Sequence, residues 1–319
     1  MDLLKFLVFP LSPYSYYKLN PAREGIVDKY IADKQYNIIA CRYIGEAINL
    51  GLNKYRSRLV IDVDDNIVSM LLLKGSLQNF SNPISKLVWK FRAHAAGIMQ
   101  KHFLSKVKCS FYSNKYDSPY KHSVYLHNST MVNSDQSLIS SETPFVLLVV
   151  GHMDYSPNYL GVRHFVENIF PLVNKKYPSA ELKIIGKISY DKKQYLQQFP
   201  NVKILGFVDD VIHEYNESRV IIVPLYHGSG TSVKFIEAAA MKRPIVSTEI
   251  GRRGLDYAFE NGTDYFLAED DASFAEKIIV LLSSIEKSNE MAIRAAQKVY
   301  QYFSRDLFYE TVKSAIMDV

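Results

Sequence analysis

Cysteine is scarce: Cys41 and Cys109 are the only two in 319 residues, far apart and without histidine-rich neighbours. That excludes a disulfide framework and a cysteine-based zinc site, and makes a reducing cytoplasm the expected compartment. No apolar run approaches the roughly eighteen residues needed to span a bilayer, so no membrane-crossing helix is expected. The opening MDLLKFLVFPLSPYSYYKL is interrupted by Pro10 and Pro13 and lacks both a basic leader and a small-residue cleavage pattern, so it does not read as a secretory signal. Glycine is missing before Gly25, which leaves the first half without the glycine-rich turn that ordinarily follows the first strand of a doubly wound domain. A strong charge of one sign is also lacking. Lys and Arg outnumber Asp and Glu by 38 to 33, a net +5 that is too small for a dedicated nucleic-acid binder and suits an anionic ligand or an anionic surface.

What is present is enough apolar material for two cores, 48% hydrophobic with 13% aromatic residues. Short β-rich runs alternate with helical patterns, which predicts an α/β protein with parallel sheets and crossover helices. In the first half, strands are expected at 37–41, 59–63 and 108–112, with an earlier one at 4–9, and a long helix at 85–105. Residues 128–143, NSTMVNSDQSLISSET, read as a polar linker. The second half opens with the apolar run 144–150 before Gly151 and continues with a helix expected at 162–176. Strands ending at Gly186, Gly206, Pro224 and Ser247 follow, and then two closing helices. This predicts a reduced N-terminal domain at 1–140 and a ligand-binding domain at 141–319, with the last helix packing back toward the first domain.

The segment 220–254, VIIVPLYHGSGTSVKFIEAAAMKRPIVSTEIGRRG, carries the chemistry. A buried strand stops at Pro224, a loop through His227, Gly228, Ser229 and Gly230 follows, and a helix begins near Thr231. Unpaired N–H groups and the helix dipole favour a phosphate there, and the glycines let backbone approach it closely. Ser229, Thr231 and Ser232 offer hydroxyl donors, Lys234 a cation for a diphosphate, and Glu237 a carboxylate suited to a ribose diol. No Gly-Lys-Ser/Thr closes the loop, so it is not a P-loop, nor is it the dinucleotide fingerprint.

In order and spacing, VVGHMDYSPNYLGVRHFVENIFPLV, AELKIIG, NVKILGFVDDV and VIIVPLYHGSGTSVKFIEAAAMKRPIVST resemble the nucleotide-sugar domain of family-4 glycosyltransferases of the GT-B fold, in the branch of bacterial surface-polysaccharide assembly. The resemblance covers residues 144–303. It implies two Rossmann-like domains with mainly parallel sheets facing a central cleft. The activity it implies is a retaining transfer from a nucleotide-diphosphate sugar to a glycan or polyprenyl-linked acceptor, with no obligatory metal. Carried over, Glu237 holds the ribose hydroxyls; Ser229, Gly230 and Thr231 cradle the diphosphate, and Lys234 compensates its charge. Phe207 and Val208 flank the base, Gly151 and His152 border the cleft, and Lys187 or Arg163 substitutes for the Arg and Lys that relatives carry after the first strand. Ser229 stands where many relatives have an acidic residue, and Arg252 and Arg253 are further cations near the site.

On the acceptor side, RLVIDVDDN at 58–66 ends a strand with Asp62, Asp64 and Asp65. Relatives often place a His-Asp pair there, so the resemblance brings Asp64 into the catalytic set with Lys234, and Asp65 and Asn128 to the acceptor face. His152 joins the catalytic set as an acid/base by residue type, although its place after a donor-domain strand favours phosphate contact. Residues 84–108, ISKLVWKFRAHAAGIMQKHFLSKVK, mix aromatics with cations and contain no carboxylate, the pattern of a helix lying on an anionic membrane surface. The expected location is therefore cytoplasmic, peripheral to the inner membrane. Two other readings stay open: a non-catalytic nucleotide-sugar-binding relative, and a metal-dependent GT-A transferase that uses Asp62 and Asp64.

Overall fold

The structure is a computed structural model and describes residues 21–33, 36–64, 68, 71–72, 75, 83–117, 122–130, 138–228 and 230–317. Asp65, Ser229 and the strand expected at 4–9 lie outside the described residues. The chain divides into two compact units, 1–127 with 308–319, and 128–307.

In the first unit, strands β1 (Ile39–Arg42), β2 (Leu59–Asp64), β3 (Cys109–Tyr112) and β4 (Ser123–Tyr125) form a parallel sheet in chain order. Period-two alternation divides β2 between two cores. Leu59, Ile61 and Val63 face helices α2 (Ile44–Asn49) and α3 (Pro83–Leu104) through Ala47, Ile48, Met99 and Phe103. Val60 turns the other way, joining Cys109, Phe111 and Ala315. Helix α1 (Pro21–Asp33) adds Ile31 to the first core. The C-terminal helix (Arg305–Met317) thus covers part of this sheet, with Val312 and Ile316 beside Ala315 and with Phe308 edge-on to His127.

The second unit is a six-stranded parallel sheet of β5 (Val146–Val150), β6 (Glu181–Ile185), β7 (Val202–Gly206), β8 (Val220–Val223), β9 (Ile245–Thr248) and β10 (Phe266–Ala268). Its spatial order is β10-β9-β8-β5-β6-β7. The central strands β5 and β8 are continuous apolar runs because both faces are covered. Leu147, Val149, Leu182, Ile184, Val220 and Ile222 enter one core; Leu148, Ile185, Ile221 and Val223 enter the other.

The helix expected from residue 162 begins earlier. As α4 it runs Ser156–His164, passes a π turn at Phe165–Ile169 and ends at Phe170–Lys176. Pro157 sits in its first turn, where a missing N–H costs nothing. Pro171, in mid-run, would strand the Glu167 carbonyl and press its ring on that turn; the wide turn just before it absorbs the conflict. Helices α5 (Tyr190–Leu196), α6 (Val211–Asn216), α7 (Val233–Ala240), α8 (Asp271–Ser283) and α9 (Ile285–Phe303) follow. Helices α4 and α8 cover the first face, and α6, α7 and α9 the second. The segment read as a linker is anchored at its downstream end: Asn289 exchanges two hydrogen bonds with the Ile139 backbone, and Arg219 donates to the Ser140 and Thr143 carbonyls.

Candidate functional site

Strand β5 pairs with β6 on one side and β8 on the other, so the chain's winding reverses there. Helices depart to opposite faces at such a point, and a crevice opens at the carboxyl ends of the two strands. In the second unit the crevice is a cavity of about 210 Å³, walled by Tyr155, Pro157 and Asn158 of the β5–α4 turn, His227 and Gly228 of the β8–α7 loop, and 230–234 at the start of α7. Gly161 brings the two walls together: a Cβ there would stand 1.8 Å from the Pro224 carbonyl oxygen, so only a bare backbone lets α4 lie against the loop.

The floor of the cavity is a helix start with little of its own capping. Ser232 is the N-cap of α7 but its side chain makes no capping bond, and its Oγ is buried without a partner. A buried hydroxyl, the helix dipole and the N–H groups of a first helical turn together favour an anion. Two residues on, the Lys234 ammonium donates to Asn158 Oδ1 at 2.6 Å. Burial pushes this lysine down to about 8, a shift that Glu237 partly opposes. One turn further along α7, burial raises the Glu237 carboxyl above its ordinary value despite the attraction of Lys234. The fully buried Tyr215 hydroxyl stands beside Glu237, short of hydrogen-bond geometry, and is held well above the usual tyrosine range by burial and by that carboxylate. The arrangement offers one end of a ligand an ammonium and backbone N–H groups, and the next stretch a carboxylate acceptor.

Of the residues singled out in the sequence, Gly230, Thr231 and Lys234 line this cavity, and Gly151 lies against Lys234 and Asn158. Glu237 follows on the same helix. The His152 side chain is exposed while its carbonyl accepts from Asn158; Lys187 is exposed and its carbonyl accepts from the Met153 N–H. Phe207, 85% exposed just after Gly206, presents an open ring, and Val208 is partly buried in the core of the second face. Arg163 pairs with Glu167 at 2.8 Å and Arg252 with Glu249 and Asp256, which ties both guanidinium groups to local carboxylates. In the first unit, Asp64 ends β2 at φ 60. The Arg42 guanidinium reaches both of the acids that the metal reading required, Asp64 at 2.7 Å and Asp62 at 3.4 Å. Among the described residues no cluster of three or more His, Cys, Asp or Glu is arranged to hold a metal ion. Asn128 begins the second unit, half-buried.

Asn158 and Tyr215 are additions that sequence reasoning did not assign. Asn158 had a signal: it shares the buried stripe of α4 with Val162, Phe165 and Ile169, where a polar residue needs a partner. Tyr215 had none beyond being a tyrosine in a short helix.

Comparison with known proteins accords with this geometry. Residues 144–284 match the family model described as glycosyl transferases group 1. An uncharacterized 44.6 kDa protein in the cps region of Klebsiella pneumoniae is 26% identical over 176 residues, covering 52% of this chain and 45% of that protein. The chain thus spans less than half the length of that curated relative. Among solved structures, TarM of S. aureus superposes with a TM-score of 0.70 at 16% identity, covering 92% of this chain and 57% of TarM. HepE of Anabaena, in complex with UDP and glucose, gives 0.66 at 14% identity, covering 94% and 82%. The protein therefore has the GT-B fold that the family resemblance implied, within the α/β class that the strand and helix alternation predicted.

Proposed function

We propose that the chain is a glycosyltransferase that takes its sugar from a nucleotide-diphosphate donor, with retention of anomeric configuration, in bacterial surface-polysaccharide assembly. The observation that carries the reading is the cavity at the β5–β8 switch point. It sets a helix start, the uncapped Ser232 hydroxyl and the Lys234 ammonium at one place, with Glu237 one turn beyond. Its volume of about 210 Å³ is below the roughly 300–1,000 Å³ of whole small-molecule sites, so it suits the diphosphate portion of the donor. Glu237 takes the ribose hydroxyls, and Phe207 with Val208 the base. The UDP complexes of HepE and TarM and the cps-region relative support the choice of donor and setting by analogy.

In the reaction, the bond from the sugar C1 to the diphosphate oxygen breaks and its electron pair leaves on that oxygen. The acceptor hydroxyl bonds to C1 from the same face and gives its proton to the departing phosphate. Charge gathers on the diphosphate, so preorganised N–H donors and Lys234 supply the main catalytic term without a metal. Asp64, Asp65 and Asn128 are assigned to the acceptor and its glycan or lipid-linked chain, and His152, just after β5, to the catalytic set on the donor side. A membrane contact through residues 84–108 belongs to the same proposal. It is supported by Leu87, Phe91 and Ile98, which are 68%, 42% and 46% exposed.

Titration calorimetry with UDP and GDP tests the donor site. Glu237→Ala should weaken the preferred nucleotide about tenfold or more, as expected for a lost bond to a charged group. Unchanged affinity in a folded variant removes the ribose assignment. The place of Ser229, where relatives carry an acid, favours as second reading a chain that binds nucleotide sugars without transferring them. Binding with no turnover over a panel of donors and acceptors would select it.

A further inference from the structure

The side chain of Asn158 lies between two groups of the cavity wall. Its Nδ2 donates to the His152 carbonyl at 3.0 Å, and its Oδ1 accepts from the Lys234 ammonium at 2.6 Å. Together these bonds fix the amide's orientation, since the flipped amide would set its NH2 against an ammonium and its oxygen against a carbonyl. Asn158 is only 9% exposed, and helix α4, which carries it, is held against the β8–α7 loop at Gly161. Gly151 passes beside the bridge. A Cβ there would come within 3.0 Å of Asn158 Nδ2 and 3.3 Å of Lys234 Nζ, so the bridge depends on that bare backbone.

An amide oxygen holds an ammonium without cancelling its charge, which a carboxylate at the same place would do. The lysine stem is long and flexible, and an unanchored ammonium would have to be ordered when the ligand arrives. Resting on the reading that this cavity receives the diphosphate, we propose that Asn158 is a positioning residue. It holds the Lys234 ammonium beside Gly151, charge intact, at the place the diphosphate takes.

The test is titration of the full chain with UDP, GDP, uridine and guanosine. In Asn158→Ala the diphosphate affinity should fall about tenfold while nucleoside affinity stays, because only the charged contact is lost. Lys234→Ala should do the same, and the double variant should be no weaker than Lys234→Ala alone. Asn158→Asp, nearly isosteric, keeps the anchor but neutralises the cation. It should weaken UDP or GDP and flatten the decline of affinity as pH rises through about 8. Equal losses for nucleoside and diphosphate in Asn158→Ala, no loss at all, or losses that add to those of Lys234→Ala overturn the positioning role. A parental chain that binds none of the four ligands overturns the nucleotide reading and this role with it.

Discussion

A lysine in a cavity wall costs the folded state free energy whenever it is charged and its ligand is absent. In the unfolded chain a lysine titrates near 10.4, whereas burial brings Lys234 down to about 8. Between those values the unfolded chain binds more protons than the folded one, so stability rises with pH across that window. Below about 8 the penalty is present in full; as pH climbs toward 10.4 it is relieved. Bound diphosphate reverses the preference, since it favours the ammonium. The melting temperature of the ligand-free chain, relative to Lys234→Met, should therefore rise between about pH 8 and 10, and the stabilisation by UDP or GDP should shrink over the same interval. A difference independent of pH would show that Lys234 is not desolvated. The sequence made Lys234 and Glu237 visible, because both stand at fixed spacing after a glycine loop. It hid Asn158 as a partner: the bond joins residues 76 positions apart, and nothing in local pattern links them. Arg252, expected as a further cation near the site, also pairs locally with Glu249 and Asp256, partners that stand three residues before it and four after it in the sequence.

At the level of elements, five strands of the second unit's sheet were legible because they are short, mainly apolar runs ending in glycine, proline or a small polar residue; β10, three residues long and followed by Glu269, carried no such signal. The start of α4 was not, because Ser156, Pro157 and Asn158 read as a turn until the cavity side is known. The interlock of α4 with the β8–α7 loop is a consequence of one missing side chain. In Gly161→Ala the new methyl would lie 1.8 Å from the Pro224 carbonyl oxygen, a backbone atom with no freedom to swing aside. Overpacking of this kind costs about 1–3 kcal/mol. Gly25, in the exposed helix α1, has nothing within 4 Å of its position, and alanine there should stabilise by about 0.5–1 kcal/mol through propensity alone. Urea unfolding should separate the two substitutions in sign. Because the loop that α4 must leave is the cavity wall, Gly161→Ala should also weaken UDP or GDP, while Gly25→Ala should not. Parental stability and nucleotide affinity in Gly161→Ala would mean that α4 and the loop do not bear on one another as described.

For the molecule as a whole, the net charge of +5 is too small to drive it to an anionic surface unless the charge is concentrated. Helix α3 concentrates it. Leu87, Phe91 and Ile98 recur at i, i+4 and i+11 and are exposed along one face; Lys90, His94 and Lys101 repeat the same spacing three residues on and are exposed too. Its 22 residues contain no carboxylate to repel an anionic headgroup. Each lysine near an anionic leaflet contributes about 1 kcal/mol, and each large apolar side chain that enters the headgroup boundary about 1.5–3 kcal/mol if fully buried. For the proposed membrane contact, either term alone would give weak binding; together they would give a reversible one that requires both anionic lipid and the apolar stripe. Co-sedimentation with vesicles should show binding to membranes rich in anionic lipid and little to purely zwitterionic ones, with the bound fraction falling as salt rises. Replacing Leu87 and Phe91 by serine should reduce binding several-fold and leave the UDP or GDP titration unchanged, because neither residue belongs to the unit that holds the cavity. Equal binding to both kinds of vesicle, or parental binding by the doubly substituted chain, would assign the exposed stripe of α3 to something other than a lipid surface.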